Sequence, residues 1–186
     1  MLRDEKKLVA DELLWFAMST ARKPVMKVKA ELDAKGIENY VAMQYVVEMV
    51  NGRKTKLLKP ALNNLIFVHT RKSIIQRVKS TMTHLFYIIR PVEGHNIPIV
   101  ISDEEMQSFI AVTSAINENV SFVSPDDPNL KEGVRVRVLE GPFAGSEGVL
   151  VKLKGHRNRR LVVSVDKLAA ASVEVSPSAV EIVTNG

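Results

Sequence analysis

The sequence predicts an α+β domain followed by a small β-barrel. Three observations predict it. Between residues 13 and 117, apolar stretches of strand character alternate with stretches of helical spacing, in the order strand, helix, hairpin, strand, helix, strand, helix. From 118 to 130 the periodicity stops, and Ser124-Pro125-Asp126-Asp127-Pro128-Asn129 is turn-forming, acidic and poor in core residues. Beyond it come short strands at close spacing, rich in valine. The expected boundaries are 13–117 for the first domain, 118–130 for a linker and 131–184 for the barrel.

Taken in order, Leu13 to Thr20 is an apolar strand. Pro24 fits the first turn of a helix in which Val25, Val28 and Leu32 repeat at helical spacing until Gly36 ends it. A strand from Ile37 to Val50 meets Asn51-Gly52, a strong hairpin signal, and returns through Arg53 to Lys59. Asn64 to Thr70 is a further apolar strand. Ser73 with Gln76 three residues on is a capping-box pattern opening a short helix, and His84 to Arg90 is strand-like. Ser102 and Glu105 repeat the capping pattern before a helix carrying Met106, Phe109 and Ile110 on one face. This order places helices on one face of a largely antiparallel sheet. After the linker, strands are expected at Val134 to Leu139, Gly148 to Lys154, Arg160 to Val165 and Ser172 to Val175, with a last apolar pair at Ile182 and Val183.

Composition narrows the functional classes. The chain has 186 residues, 46% hydrophobic and 25% charged, which is globular in character and long enough for two small domains. It has no cysteine, which excludes disulfides and thiolate metal sites and fits a reducing compartment. His69, His84, His95 and His156 show no metal-ligand spacing, and no metal or cofactor is expected. No apolar run approaches a membrane span, and the opening Met-Leu-Arg-Asp-Glu-Lys-Lys is too charged for a signal peptide. A cytoplasmic monomer with no membrane partner is the expectation. The net charge of +5 favours a polyanionic partner without identifying one. Glu104-Glu105 sits where carboxylates complement a helix dipole, and no phosphate loop or Ser-His-Asp set occurs, so no enzyme activity is expected.

The most specific stretch is Lys131 to Lys154. Val134, Val136 and Val138 alternate with Arg135 and Arg137, the period of a strand with one wet face. Gly141-Pro142 then marks a turn, and Gly145 and Gly148 are placed to supply positive-φ or close-approach positions. This pattern resembles the KOW motif, and Glu140-Gly-Pro-Phe-Ala-Gly145 is similar to the version carried by the NusG family of transcription elongation factors. The resemblance continues upstream in Trp15-Phe16, in Leu62-Asn63-Asn64-Leu65-Ile66-Phe67-Val68 and in Pro98-Ile99-Val100-Ile101-Ser102-Asp103-Glu104-Glu105. Within the family, the Asn64-to-Val68 wording and the Lys131-to-Ile182 region look most similar to the UpxY branch, the antiterminators of capsular polysaccharide operons.

The resemblance implies a NusG-like N-terminal domain and a KOW barrel acting as a transcription antitermination and elongation factor. The N-terminal domain would bind the clamp helices of RNA polymerase through Trp15, Phe16, Leu62, Asn64 and Leu65 and suppress pausing. For Phe16 a core role comes first, and for Leu62 and Leu65 core and contact stand even. Leucine replaces both family aromatics there, and Asn63 replaces proline. Arg22, Lys23, Arg71 and Lys72 would face non-template DNA. Phe143, Lys167 and Leu168 would serve the barrel's partner, NusE or Rho, a choice left open because Leu168 replaces the usual aromatic. A housekeeping factor coupled to Rho and a KOW-containing ribosomal or RNA-binding protein are the alternatives. A second basic group, Lys152, Lys154, Arg157, Arg159 and Arg160, would suit phosphate contacts or simply form a solvated face.

Overall fold

The computed structural model describes residues 12–115 and 119–183. The charged opening, the expected boundary at 116–118 and the expected barrel end at 184 lie outside the described residues. The protein is α+β, with β-sheets and three α-helices among the described residues. Two compact units divide it, Met1–Ala42 with Pro60–Asp103, and Met43–Lys59 with Glu104–Gly186.

The first unit is built on β1 (Leu13–Ser19), β2 (Glu38–Tyr40), β5 (Leu65–Arg71), β6 (Phe86–Tyr87) and β9 (Val100–Ile101). These pair in the order β2-β5-β1-β6, with β9 also on β1, all antiparallel. Trp15, Phe16, Ala17 and Met18 are buried in succession, as are Ile66, Phe67 and Val68. Successive strand residues face opposite sides, so both faces of β1 and β5 are covered. The antiparallel sheet agrees with the expected α+β class.

Helix α1 (Val25–Ala34) follows Pro24, buries Val25, Val28 and Leu32, and stops before Gly36, whose φ is +65°. Helix α2 (Lys72–Thr81) buries Ile75 and Val78. Its N-cap is Arg71, without a side-chain cap bond, so Ser73 lies inside the first turn and does not cap it. The expected strand from Ile37 to Val50 is two strands, because Val41 and Ala42 turn into the core and break it. A two-stranded sheet, β7 (Ile89–Val92) with β8 (His95–Pro98), turns through Glu93 and Gly94, both at positive φ. That hairpin was not expected; the Glu93-Gly94 pair was its signal.

The second unit contains the ribbon β3 (Met43–Val50) and β4 (Arg53–Pro60), turned by Asn51-Gly52 as expected. It also takes in helix α3 (Asp103–Ser114) from Glu104 onward, with Met106 and Phe109 buried and Ile110 half-buried. Within this unit the backbone N–H of Glu147 donates to Ser108 Oγ at 3.0 Å.

The rest is a six-stranded antiparallel sheet: β10 (Ser121–Val123), β11 (Val134–Val138), β12 (Glu147–Val151), β13 (Arg160–Val165), β14 (Ala169–Glu174) and β15 (Val180–Ile182). The order is β10-β14-β13-β12-β11-β15. Val151, Leu153, Val162 and Ala170 form a core cluster joined by Val123, Leu130 and Val149. Gly145 has φ +85°, and Gly148 lets β12 approach the carbonyl of Val162, so the two glycines do the two jobs expected of them. Ser121–Val123, inside the stretch expected as a linker, is a strand. It pairs with β14 through Ser121↔Ser172, Phe122↔Ala171 and Val123↔Ala170. Pro128–Glu132 forms a 3-10 turn whose N-cap, Asp127, accepts from the Asn129 amide.

Candidate functional site

In the first unit, the ladder places Leu65 opposite Ser19, and Ser19 opposite Phe86. Residues directly opposite each other in a pleated sheet share a face, so these three side chains form one row across β5, β1 and β6. Phe86 is 48% exposed and Leu65 half-buried. The preceding turn adds half-buried Leu62, where Leu65 N–H donates to Leu62 O at 3.4 Å. Asn64 is exposed, and its carbonyl accepts from the Thr20 amide at 3.1 Å, tying this turn to the end of β1. The result is a small apolar surface with a polar rim. The strand expected from His84 to Arg90 covers Phe86, but Phe86 was not named for the contact, because two paired residues do not show which face is outward. The signal available was the period-two alternation within β6, which puts Phe86 and half-buried Tyr87 on opposite faces.

Trp15 and Phe16 are interior residues. The Trp15 ring stacks on His69 with centroids 4.5 Å apart and planes within 6°. His69 Nδ1 lies 2.6 Å from Glu38 Oε2, and Nε2 lies 3.9 Å from Asp103 Oδ1. The Nδ1 edge of the imidazole is thus at hydrogen-bond distance from a carboxylate, a second carboxylate lies near the other edge, and its face supports the indole. Phe16 packs from the opposite side of β1 against Tyr87, centroids 5.7 Å apart. Burial raises the Tyr87 phenol pKa above its usual value and lowers that of the Lys79 ammonium, which sits 3.8 Å over the Tyr87 ring.

The four cations expected to act together are not brought together. Leu13 pairs with Arg71 and Ser19 with Leu65, so the loop carrying Arg22 and Lys23 leaves one end of β1 while Arg71 and Lys72 sit at the other. Antiparallel pairing puts the C-terminal ends of two neighbouring strands at opposite ends of the ladder. Arg22 and Lys72 are exposed, and Lys23 forms an ion pair with Glu31. That pairing, with desolvation opposing it, lowers the Glu31 carboxyl pKa.

In the C-terminal sheet, strand direction alternates from β11 to β14, so the β11–β12 and β13–β14 connections lie at the same end. The first carries Phe143, buried and anchoring the Gly141–Gly145 turn. The second carries exposed Lys167 and half-buried Leu168. Asp166 and Lys167 have φ of 41° and 57°, and Leu168 N–H donates to Val165 O at 2.8 Å, the signature of a type I′ turn.

Lys152, Lys154, Arg157 and Arg159 are exposed around the β12–β13 connection, at the opposite end. Arg160 leaves that group, since it is 4% exposed. Its Nε donates to Ser172 Oγ at 3.0 Å and its Nη2 to Ser172 O at 2.9 Å and to Asn119 O. Burial pushes its pKa down, opposed by the charge of Glu174.

A family model described as transcription termination factor nusG matches residues 13–110. No curated protein sequence matches the chain. A solved structure described as domain interaction in Thermotoga maritima NusG is 17% identical, covers 93% of this chain and 98% of its own, and superposes with a TM-score of 0.41.

Proposed function

The chain belongs to the NusG family of transcription factors, and from that premise we propose that it binds RNA polymerase through the row Leu65, Ser19 and Phe86 with Leu62 beside it. The observation that carries this reading is the family match across 13–110, which runs from β1 into α3. The exposed half of Phe86 supports the position of the contact, because aromatic anchors dominate interface energetics. Trp15 and Phe16 act behind that surface by fixing the sheet. The proposed target is the clamp helices, and the proposed effect is to favour the pause-resistant polymerase state, which needs only a higher affinity for that state. Arg22 at one end of β1 and Arg71 with Lys72 at the other are separate candidates for non-template DNA.

Within the family we assign the chain to antitermination of the UpxY kind, acting in polysaccharide operons, on the wording of Asn64 to Val68. The C-terminal sheet would recruit a second factor, NusE or Rho, at the end that carries Phe143, Lys167 and Leu168. A Rho-coupled housekeeping role is the second reading, favoured by the termination factor description of the matching family.

The test is binding to purified RNA polymerase with pause lifetimes measured in parallel. Phe86→Ser and Leu65→Asp should each weaken binding roughly thirtyfold, about 2 kcal/mol, with the fold checked by thermal melting. A folded Phe86→Ser protein that binds and shortens pauses like its parent defeats the patch. A parent that binds no polymerase defeats the function.

A further inference from the structure

The edge of β14 is occupied in a way that the polymerase reading does not use. β14 is Ala-Ala-Ala-Ser-Val-Glu, a run of small residues with weak intrinsic strand preference at its start. Its inner edge pairs with β13 over six residues, and its outer edge is covered by β10 over three. That covering segment comes from the stretch between the two expected domains. Its three side chains are only half-buried, so little apolar burial holds it there.

Arg160 supplies the rest of the hold. Its guanidinium reaches through the strand boundary to Ser172 on β14 and to the carbonyl of Asn119, two residues before β10. Ser172 Oγ lies 3.4 Å from Ser121 O, continuing the same line of contacts. Each of these acceptors of the buried cation is a neutral oxygen. Such a group needs acceptors, and main-chain carbonyls and a hydroxyl serve it here. A carbonyl is offered by any polypeptide in extended form, so the latch recognises backbone and is indifferent to the side chain that precedes the strand.

We propose that the outer edge of β14 is a docking site for an extended peptide strand, occupied here in cis by Asn119–Val123 and latched by Arg160, so that a partner strand must displace it. The partner is a polypeptide segment that adds to the sheet by main-chain pairing. It presents a carbonyl to Arg160 and, four residues on, an apolar side chain where Val123 packs against the cluster of Val151, Leu153, Val162 and Ala170. The tethered strand competes through its high local concentration, so it sets a threshold that weak or ill-matched strands do not pass.

Two measurements decide it. In a full chain with Ser121-Phe122-Val123 replaced by Gly-Ser-Gly, a synthetic peptide of residues 117–126 should bind saturably, with amide shifts concentrated on Ala169 to Glu174. The intact chain should bind it at least about tenfold more weakly, because the cis strand competes. Adding Arg160→Met to the replaced chain should abolish the binding. No saturable binding to the replaced chain, equal binding to both chains, or binding unaffected by Arg160→Met overturns the proposal. Hydrogen exchange on the unaltered protein covers the case in which the replaced chain does not fold. The amides of Ser121 to Val123 should then exchange at least about tenfold faster than those of Leu161 to Val163. Equal protection would make β10 an integral strand and overturn displacement.

Discussion

Gly148 has no room for a side chain. A Cβ there would stand 2.4 Å from the Val162 carbonyl oxygen, a contact with backbone that cannot swing aside. Gly148→Ala is expected to destabilise the C-terminal sheet by roughly 1–3 kcal/mol, read as a lower denaturant midpoint. The next residue toward the turn has a different role. Glu147 accepts from Arg137 at 2.6 Å and from Arg135 at 3.1 Å, and those bonds, Arg137 first, hold its carboxyl below the ordinary glutamate pKa. A depressed carboxyl contributes stability above its unfolded value and loses it as pH falls through the folded value. Stability should therefore drop on the acid side of the ordinary glutamate range, and Glu147→Gln should flatten that limb in melts taken across pH. Gly145 and Gly148 were legible in the sequence because their spacing in the turn admits few other uses. Arg160 was not, because a cation in a run of cations reads as surface until β10 is seen to cover it.

At the scale of elements, α2 begins against its own dipole. Arg71 caps it without a side-chain bond, Lys72 opens it, and no acid lies in the first turn. Cations at a helix N-terminus are unfavourable, so Lys72→Glu is expected to raise stability by about 0.5 kcal/mol in chemical denaturation. If Lys72 neutralises one phosphate of single-stranded DNA, the same change should weaken that binding and lower its log–log salt slope by about 0.7. A variant more stable yet unchanged in DNA binding would remove Lys72 from the nucleic-acid candidates. Most elements were legible: β1, α1, the Asn51-Gly52 ribbon and β11 to β14 follow from period and turn chemistry. Two of the shortest were not. β9 and β10 have two and three residues, too few for a period, and exist because a neighbouring strand offers them an edge.

For the whole molecule, the order of elements carried the fold class, while the grouping of side chains into sites depended on strand direction. Trp15 was expected at the contact and Phe16 first in the core, and both are interior. The cations after β1 and β5 looked like one cluster and lie at opposite ends of a ladder. The proposed division at the expected linker has a measurable consequence. A fragment starting at Lys131 would lack Asn119 and β10 and leave a buried guanidinium short of an acceptor. It should be less stable than a fragment starting at Asn119 by about 1–3 kcal/mol in denaturant titrations of the two. Equal stabilities would show that water serves the freed guanidinium as well as the carbonyl does.

The stacked indole of Trp15 gives the molecule an optical asymmetry. It is the only tryptophan in the chain, and the stretch from Asn119 to Val183 has neither tryptophan nor tyrosine. Emission excited at the red edge of the indole band therefore reports the sheet around β1 alone, whereas far-ultraviolet dichroism sums every strand and helix. If the two compact units melt as one, the two signals trace a single transition. If they melt separately, the dichroism changes while the indole is still dark to the event, and the offset between the curves measures how little the units share.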